Sequence, residues 1–192
     1  MASKRIFIAI DIPEDARLVV AEYIAVLRLR FPDLRVGWER TGKLHFTLKF
    51  LGHVEEAIVP KLEDAIPGMI QRHRPFTTEL ACTGLFPNTR EPRILWLGIT
   101  SGRDEMIAIG TDIDAAVEHL GFEKDQRTFS PHLTIGRIRE PRKGKDLAAA
   151  HLSSVFPPIE FTVDHVTIYE SMLSQTGSSY EVISRHPLQQ SG

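Results

Sequence analysis

Two segments of this chain alternate apolar and polar residues, and that period confines each to a β-strand laid on a core. In Leu44–Leu51, Phe46, Leu48 and Phe50 fall on one face while His45, Thr47 and Lys49 fall on the other. Phe129–Ile138 repeats the pattern, with His132, Thr134 and Gly136 on one face and Leu133, Ile135 and Arg137 on the opposite one. A chain with two such matched strands folds most simply as two similar layers sharing one core.

The remaining segments fit that scheme. Ile6–Ile10 predicts a buried strand, and the apolar spacing that follows Pro13 predicts a helix ended by Pro32. Gly52 is expected to close the Leu44–Leu51 strand, and 55–70 reads as a helix despite Pro60 and Pro67. Strands are expected at Phe76–Cys82 and Ile94–Thr100, with turn residues between Gly84 and Pro92. Asp104–Leu120 reads as a long helix and Lys145–Leu152 as a short one, while Phe161–Tyr169 and Tyr180–Ser184 read as strands joined by a turn over 174–179. The expected fold is α+β and bilobal, a single domain over 1–192. Its two pseudo-twofold-related halves, roughly 1–90 and 91–192, carry antiparallel sheets that line a central groove, with helices outside.

Composition excludes several classes. Lys and Arg total 23 against 25 Asp and Glu, so the net charge of −2 is wrong for a protein that coats nucleic acid nonspecifically; a nucleic acid gripped at one end stays open. The one cysteine, Cys82, rules out an intrachain disulfide and any multi-cysteine metal site, and fits a reducing, cytoplasmic setting. No apolar stretch approaches the ~20 residues that span a bilayer, and the run Ile6–Ile10 ends at Asp11, too short for a signal-peptide core.

Three His-x-Thr triplets occur, at His45–Thr47, His132–Thr134 and His165–Thr167, where chance placement of these residue types gives about 0.5. Strand geometry puts the His and Thr of each triplet on one face. Displacement at phosphorus needs a base for the nucleophile's proton and an acid for the leaving oxygen on the opposite side, and two histidines supply both. A threonine hydroxyl beside each donates to a nonbridging oxygen as charge develops.

His45-Phe46-Thr47-Leu48-Lys49-Phe50-Leu51-Gly52 and Pro131-His132-Leu133-Thr134-Ile135-Gly136-Arg137 resemble the paired HxTx motifs of the 2H phosphoesterases, in particular the bacterial and archaeal RNA 2′,3′-cyclic phosphodiesterases, also called 2′-5′ RNA ligases. Arg5–Asp11, Gly84–Pro87 with Pro92–Gly98, and Tyr169–Ser171 with Tyr180–Val182 are similar to further segments of that family, in its order. The resemblance implies hydrolysis of a 2′,3′-cyclic phosphate at an RNA end to a 2′-phosphomonoester, by a monomer needing no metal and no cofactor. It implies His45 as proton donor and His132 as proton acceptor, with Thr47 and Thr134 on the phosphate. It also implies reverse ligation through an RNA 5′-hydroxyl. Arg137 matches an arginine that follows the second motif and binds phosphate or RNA, although strict alternation points it away from His132.

Other residues read as structural. His165 and Thr167 lie where an ordinary strand is expected; His53, His73, His119, His151 and His186 show no HExxH spacing and are expected at the surface. Trp38, Phe50, Phe86 and Trp96 are read as core residues, with base stacking the alternative. The stretch Arg137–Lys145 holds five basic residues and one acid, either an RNA-backbone contact or a solvated loop. Two other functions stay open: the same chemistry on a small cyclic nucleotide or 2′-5′ oligonucleotide, or a noncatalytic nucleotide-binding module. The second has no need of two proton-transfer groups.

Overall fold

Five consecutive apolar residues of the first strand, Ile6–Ile10, are buried, so that strand is covered on both faces and organises the molecule. The structure is a computed structural model, described over residues 2–126, 129–174 and 177–189. Strand β1 (Ser3–Asp11) sends Ile6, Ile8 and Ile10 into the main core and Phe7 and Ala9 into a second cluster with Tyr169 on its other face. Helix α1 (Glu14–Arg30) and helix α2 (Val59–Ile70) bury residues at three- and four-residue spacing, Ala16, Val20, Ile24 and Leu27 on the first and Val59, Leu62, Ile66 and Ile70 on the second. Pro60 is tolerated because it falls in the first turn of α2, where its missing N–H has no partner to lose.

Strand β2 (Val36–Trp38) is only three residues long, and β3 (His45–Glu55) follows a 3-10 turn at Thr41–Lys43. Next come β4 (Phe76–Phe86), β5 (Ile94–Ser101), helix α3 (Arg103–Glu118) and β6 (Leu133–Ile138). Helix α4 (Lys145–Ser153) and strands β7 (Ile159–Val163), β8 (His165–Ser174) and β9 (Gly177–Pro187) complete the chain. The expected turn over 174–179 falls partly on 175–176, outside the described residues. No helix among the described residues is long and apolar enough to cross a membrane.

The α+β class holds. The strands form one antiparallel sheet in the order β7-β4-β5-β6-β3-β1-β8-β9, with β2 added on β6. A four-stranded side, β7-β4-β5-β6, meets another, β3-β1-β8-β9, through the single bridge Phe46↔Leu133. The expected division near residues 84–92 does not separate the two sides. It is the hairpin between β4 and β5, where Phe86 pairs with Ile94. One side is instead built from both ends of the chain, because β1 would be an unpaired edge without β8, and pairing it removes that liability.

Two expected boundaries also move. β3 does not stop at Gly52 but runs through it at φ +71°, a conformation glycine adopts without Cβ strain. The single strand expected over 161–169 is two, β7 at one edge of the sheet and β8 on the other side, between β1 and β9.

Candidate active site

Bulges decide which residues face the concave side. Along β1, Ala9 pairs with Thr47 and Ile8 with Lys49, leaving Leu48 as the extra residue of β3. Strict alternation predicted His45, Thr47 and Lys49 on one face. The bulge reverses the last of these, so Lys49 joins Ile8 on the helix side, only 4% exposed, and Phe50 joins Phe7 on the other. Phe50 is therefore no core residue: half exposed, it lines a cavity, and the Arg5 guanidinium lies 4.8 Å from its ring centre. Lys49 binds the Asp114 carboxylate of α3 at 2.5 Å, the Glu123 carbonyl at 2.8 Å and the Asp125 carboxylate at 3.1 Å.

A second bulge corrects the reading of Arg137. Leu95 pairs with Gly136 and Trp96 with Thr134, which leaves Ile135 unmatched on β6. Leu133, Ile135 and Ile138 are buried, while Thr134 and Arg137 emerge on the same, solvent-facing side. Arg137 thus shares a face with His132 and Thr134, contrary to strict alternation.

One cavity of about 730 Å³ is lined by His45, Thr47, His132, Thr134 and Arg137 together, which brings all five sequence-predicted site residues to one place. The bridge Phe46↔Leu133 sets the two triplets side by side and antiparallel across the seam. The cavity also takes up Arg5, Arg40, Lys43 and Arg139, and Glu39 is its one carboxylate among the described residues. Sequence reasoning meets Arg139 only within the basic stretch Arg137–Lys145 and does not single out Arg5, Arg40 or Lys43 as site residues; for Arg40 the reason is that β2, which carries the chain into Glu39 and Arg40, is too short to show periodicity.

The two histidines are held differently. His132 donates from Nδ1 to the Ser130 carbonyl at 2.8 Å, which leaves Nε2 as the lone-pair nitrogen of the neutral ring. Phe86 meets it edge-on at 5.1 Å and Trp96 stands at 6.4 Å. Phe86, Trp96 and Trp38 are half-buried and pack rather than stand free. His45 stacks on Phe7 at 4.9 Å, with Tyr180 against it at 5.4 Å, and its Nε2 lies 3.1 Å from Thr47 Oγ1. Burial pushes the His45 pKa down to about 4, against the opposing effects of its Lys43 backbone bond and the Asp11 charge.

An anion in the cavity reverses that cost. With sulfate, which stays a dianion, His45 is expected to titrate at a higher pH than in the free protein. Sulfate affinity should be flat above the raised pKa and strengthen as pH falls through it toward the free value of about 4. Histidine NMR titrations with and without sulfate test this; an unchanged His45 pKa contradicts it.

The third triplet has a different use. His165 Nε2 (3.3 Å), Thr167 Oγ1 (2.8 Å) and Tyr169 OH (2.5 Å) all converge on Asp11, with Arg17 at 3.6 Å. Burial alone would raise the Asp11 carboxyl, but the bonds from His165, Tyr169 and Thr167 carry it well below the usual carboxylate range. Burial and the same bond push Tyr169 up to about 12. His165 and Thr167 do not line the cavity.

Of the histidines expected at the surface, His53 and His119 are exposed, and His73 and His186 are half-buried, His73 pairing with Asp112 at 2.7 Å. His151 is a correction, fully buried at 0% exposure. Its Nε2–H reaches the Gly84 and Trp96 carbonyls at 3.0 and 3.1 Å and its Nδ1 accepts from Tyr23, so it pins α4 to the β4–β5 hairpin and α1. No cluster of three or more metal-ligating side chains occurs among the described residues.

Comparison with known proteins places the chain in a family. The model of the 2′-5′ RNA ligase superfamily matches residues 18–173. A Methanocaldococcus jannaschii protein named RNA 2′,3′-cyclic phosphodiesterase is 34% identical over 182 residues, 93% of this chain and 98% of that protein. A Thermotoga maritima protein of the same name is 32% identical over 180 residues, 93% and 92% of the two chains. The solved structure of E. coli LigT complexed with 3′-AMP covers 98% of this chain and 100% of its own, with a TM-score of 0.78 at 24% identity, a likeness of fold. The chain belongs to the 2′-5′ RNA ligase superfamily of 2H phosphoesterases and, within it, to the RNA 2′,3′-cyclic phosphodiesterase family.

Proposed function

We propose that this enzyme hydrolyses the 2′,3′-cyclic phosphate at the end of an RNA to a 2′-phosphomonoester, using His132 as base and His45 as acid. The observation that carries this reading is the meeting of both His-x-Thr pairs and Arg137 in one cavity. His132 Nε2 takes a proton from water, whose oxygen attacks phosphorus opposite the 3′ oxygen. The P–O3′ bond breaks, and His45 Nε2–H gives its proton to the departing oxygen. The tautomer set by Ser130 leaves His132 Nε2 free to accept, as the role of base requires. The phosphate's charge keeps the otherwise hard-to-protonate His45 in its acid form.

Thr47 and Thr134 donate to nonbridging oxygens, and Arg137, braced by Glu39 at 3.6 Å, faces the charge that grows in the transition state. The exposed Phe50 ring offers a face for the terminal base. When an RNA 5′-hydroxyl replaces water, the same proton transfers run in the same sense: His132 takes the hydroxyl proton, the P–O3′ bond breaks with a proton from His45, and a 2′-5′ linkage closes. Since the two histidines carry both protons, turnover of a short RNA ending in a 2′,3′-cyclic phosphate should persist in EDTA. Loss of turnover on chelation, restored by a divalent metal, would overturn the mechanism.

A further inference from the structure

The Ile135 bulge does more than turn Arg137 inward. Beyond it, Ile138 returns to the core at 4% exposure and Arg139 emerges again on the cavity side, so Thr134 and Arg137 on β6 and the residues that flank the strand, His132 before it and Arg139 after it, all line the cavity. Arg139 stands two residues past Arg137, just beyond the end of β6, where an extended step of two residues spans about 6.6 Å, the scale of one nucleotide along an extended single strand. Its guanidinium lies across β2 at Gly37, where a Cβ would come within 3.1 Å of Nη2, so the missing side chain there makes room for it.

The cations of the cavity are not equally engaged. Arg137 has Glu39, Lys43 bonds to Ser178, and Arg5 covers Phe50. Arg139 and Arg40 are exposed and have no carboxylate partner among the described residues. A cyclic phosphate carries a single negative charge, which Arg137 already meets. The unpaired guanidinium one step farther along the cavity calls for a second anionic group at that spacing.

We propose that Arg139 binds the phosphodiester one nucleotide upstream of the reacting end, so that the cavity is built for an oligonucleotide rather than for a lone nucleoside cyclic phosphate. This rests on the function proposed above, but binding tests it without turnover. The probes are a trinucleotide carrying a terminal 2′-phosphate, the matching nucleoside 2′-monophosphate, and the trinucleotide with a neutral methylphosphonate at its last linkage. In the wild-type protein the trinucleotide should bind about tenfold more tightly than the monophosphate, the worth of one charge-assisted contact. The methylphosphonate should lose that margin. Arg139→Gln should bring the ratio close to one and make the salt dependence of log K shallower by about 0.7, while Arg139→Lys keeps part of both. A wild-type ratio near one, a ratio that survives Arg139→Gln, or a methylphosphonate that binds as tightly as the phosphodiester would each overturn the proposal. Turnover of the nucleoside 2′,3′-cyclic phosphate, followed in parallel, reads out the proposed reaction independently, because its absence leaves the binding ratio measurable.

Discussion

His132→Ala and His45→Ala should each lower kcat by about 10²–10⁴, the contribution of one positioned base or acid. Neither change should unfold the protein. His132 is half-exposed at the start of β6, and His45, though stacked on Phe7, presents Nε2 to the cavity side through Thr47. Circular dichroism and thermal melting establish the fold of each variant before its rate is measured. His165→Ala is the control, because His165 serves Asp11 and does not line the cavity; it should keep turnover near the wild-type level. A folded His132→Ala or His45→Ala enzyme with wild-type kcat would remove the paired-histidine mechanism, and a folded His165→Ala enzyme crippled as badly as His132→Ala would show that the wrong triplets had been paired.

Lys49→Met should cost about 3–5 kcal/mol of stability while sparing the chemistry. The lysine is buried on the helix side, and its ammonium neutralises Asp114 and Asp125 while bonding the Glu123 carbonyl. Methionine fills a similar volume but strands the Asp114 carboxylate, which is itself largely buried. Urea unfolding reads this as a lower midpoint at unchanged slope. Below that midpoint kcat should stay near wild type. A variant with wild-type stability and no turnover would mean that Lys49 faces the substrate, where strict alternation places it.

That contrast marks how far the sequence was legible. Both histidines and both threonines could be found because each pair lies within a short run that keeps a period of two. Lys49, Phe50 and Arg137 were misplaced because a bulge inserts one residue and turns the strand over, and no composition signal marks Leu48 or Ile135 as the inserted residue. His151 was unreadable for another reason: its partners are the carbonyls of Gly84 and Trp96 and the hydroxyl of Tyr23, all distant in sequence. The helices were legible to within a few residues because their apolar stripes repeat over three to five turns. The sheet order was not, since pairing β8 with β1 is a long-range choice that satisfies an edge rather than a local preference.

The central claim is that water opens the cyclic phosphate by displacing the 3′ oxygen. Phosphorus NMR of the product from a nucleoside 2′,3′-cyclic phosphate, recorded in EDTA and compared with authentic 2′- and 3′-monophosphates, tests it most directly. The account predicts the 2′-phosphomonoester as sole product; the 3′-phosphomonoester, or a mixture of the two, would contradict it.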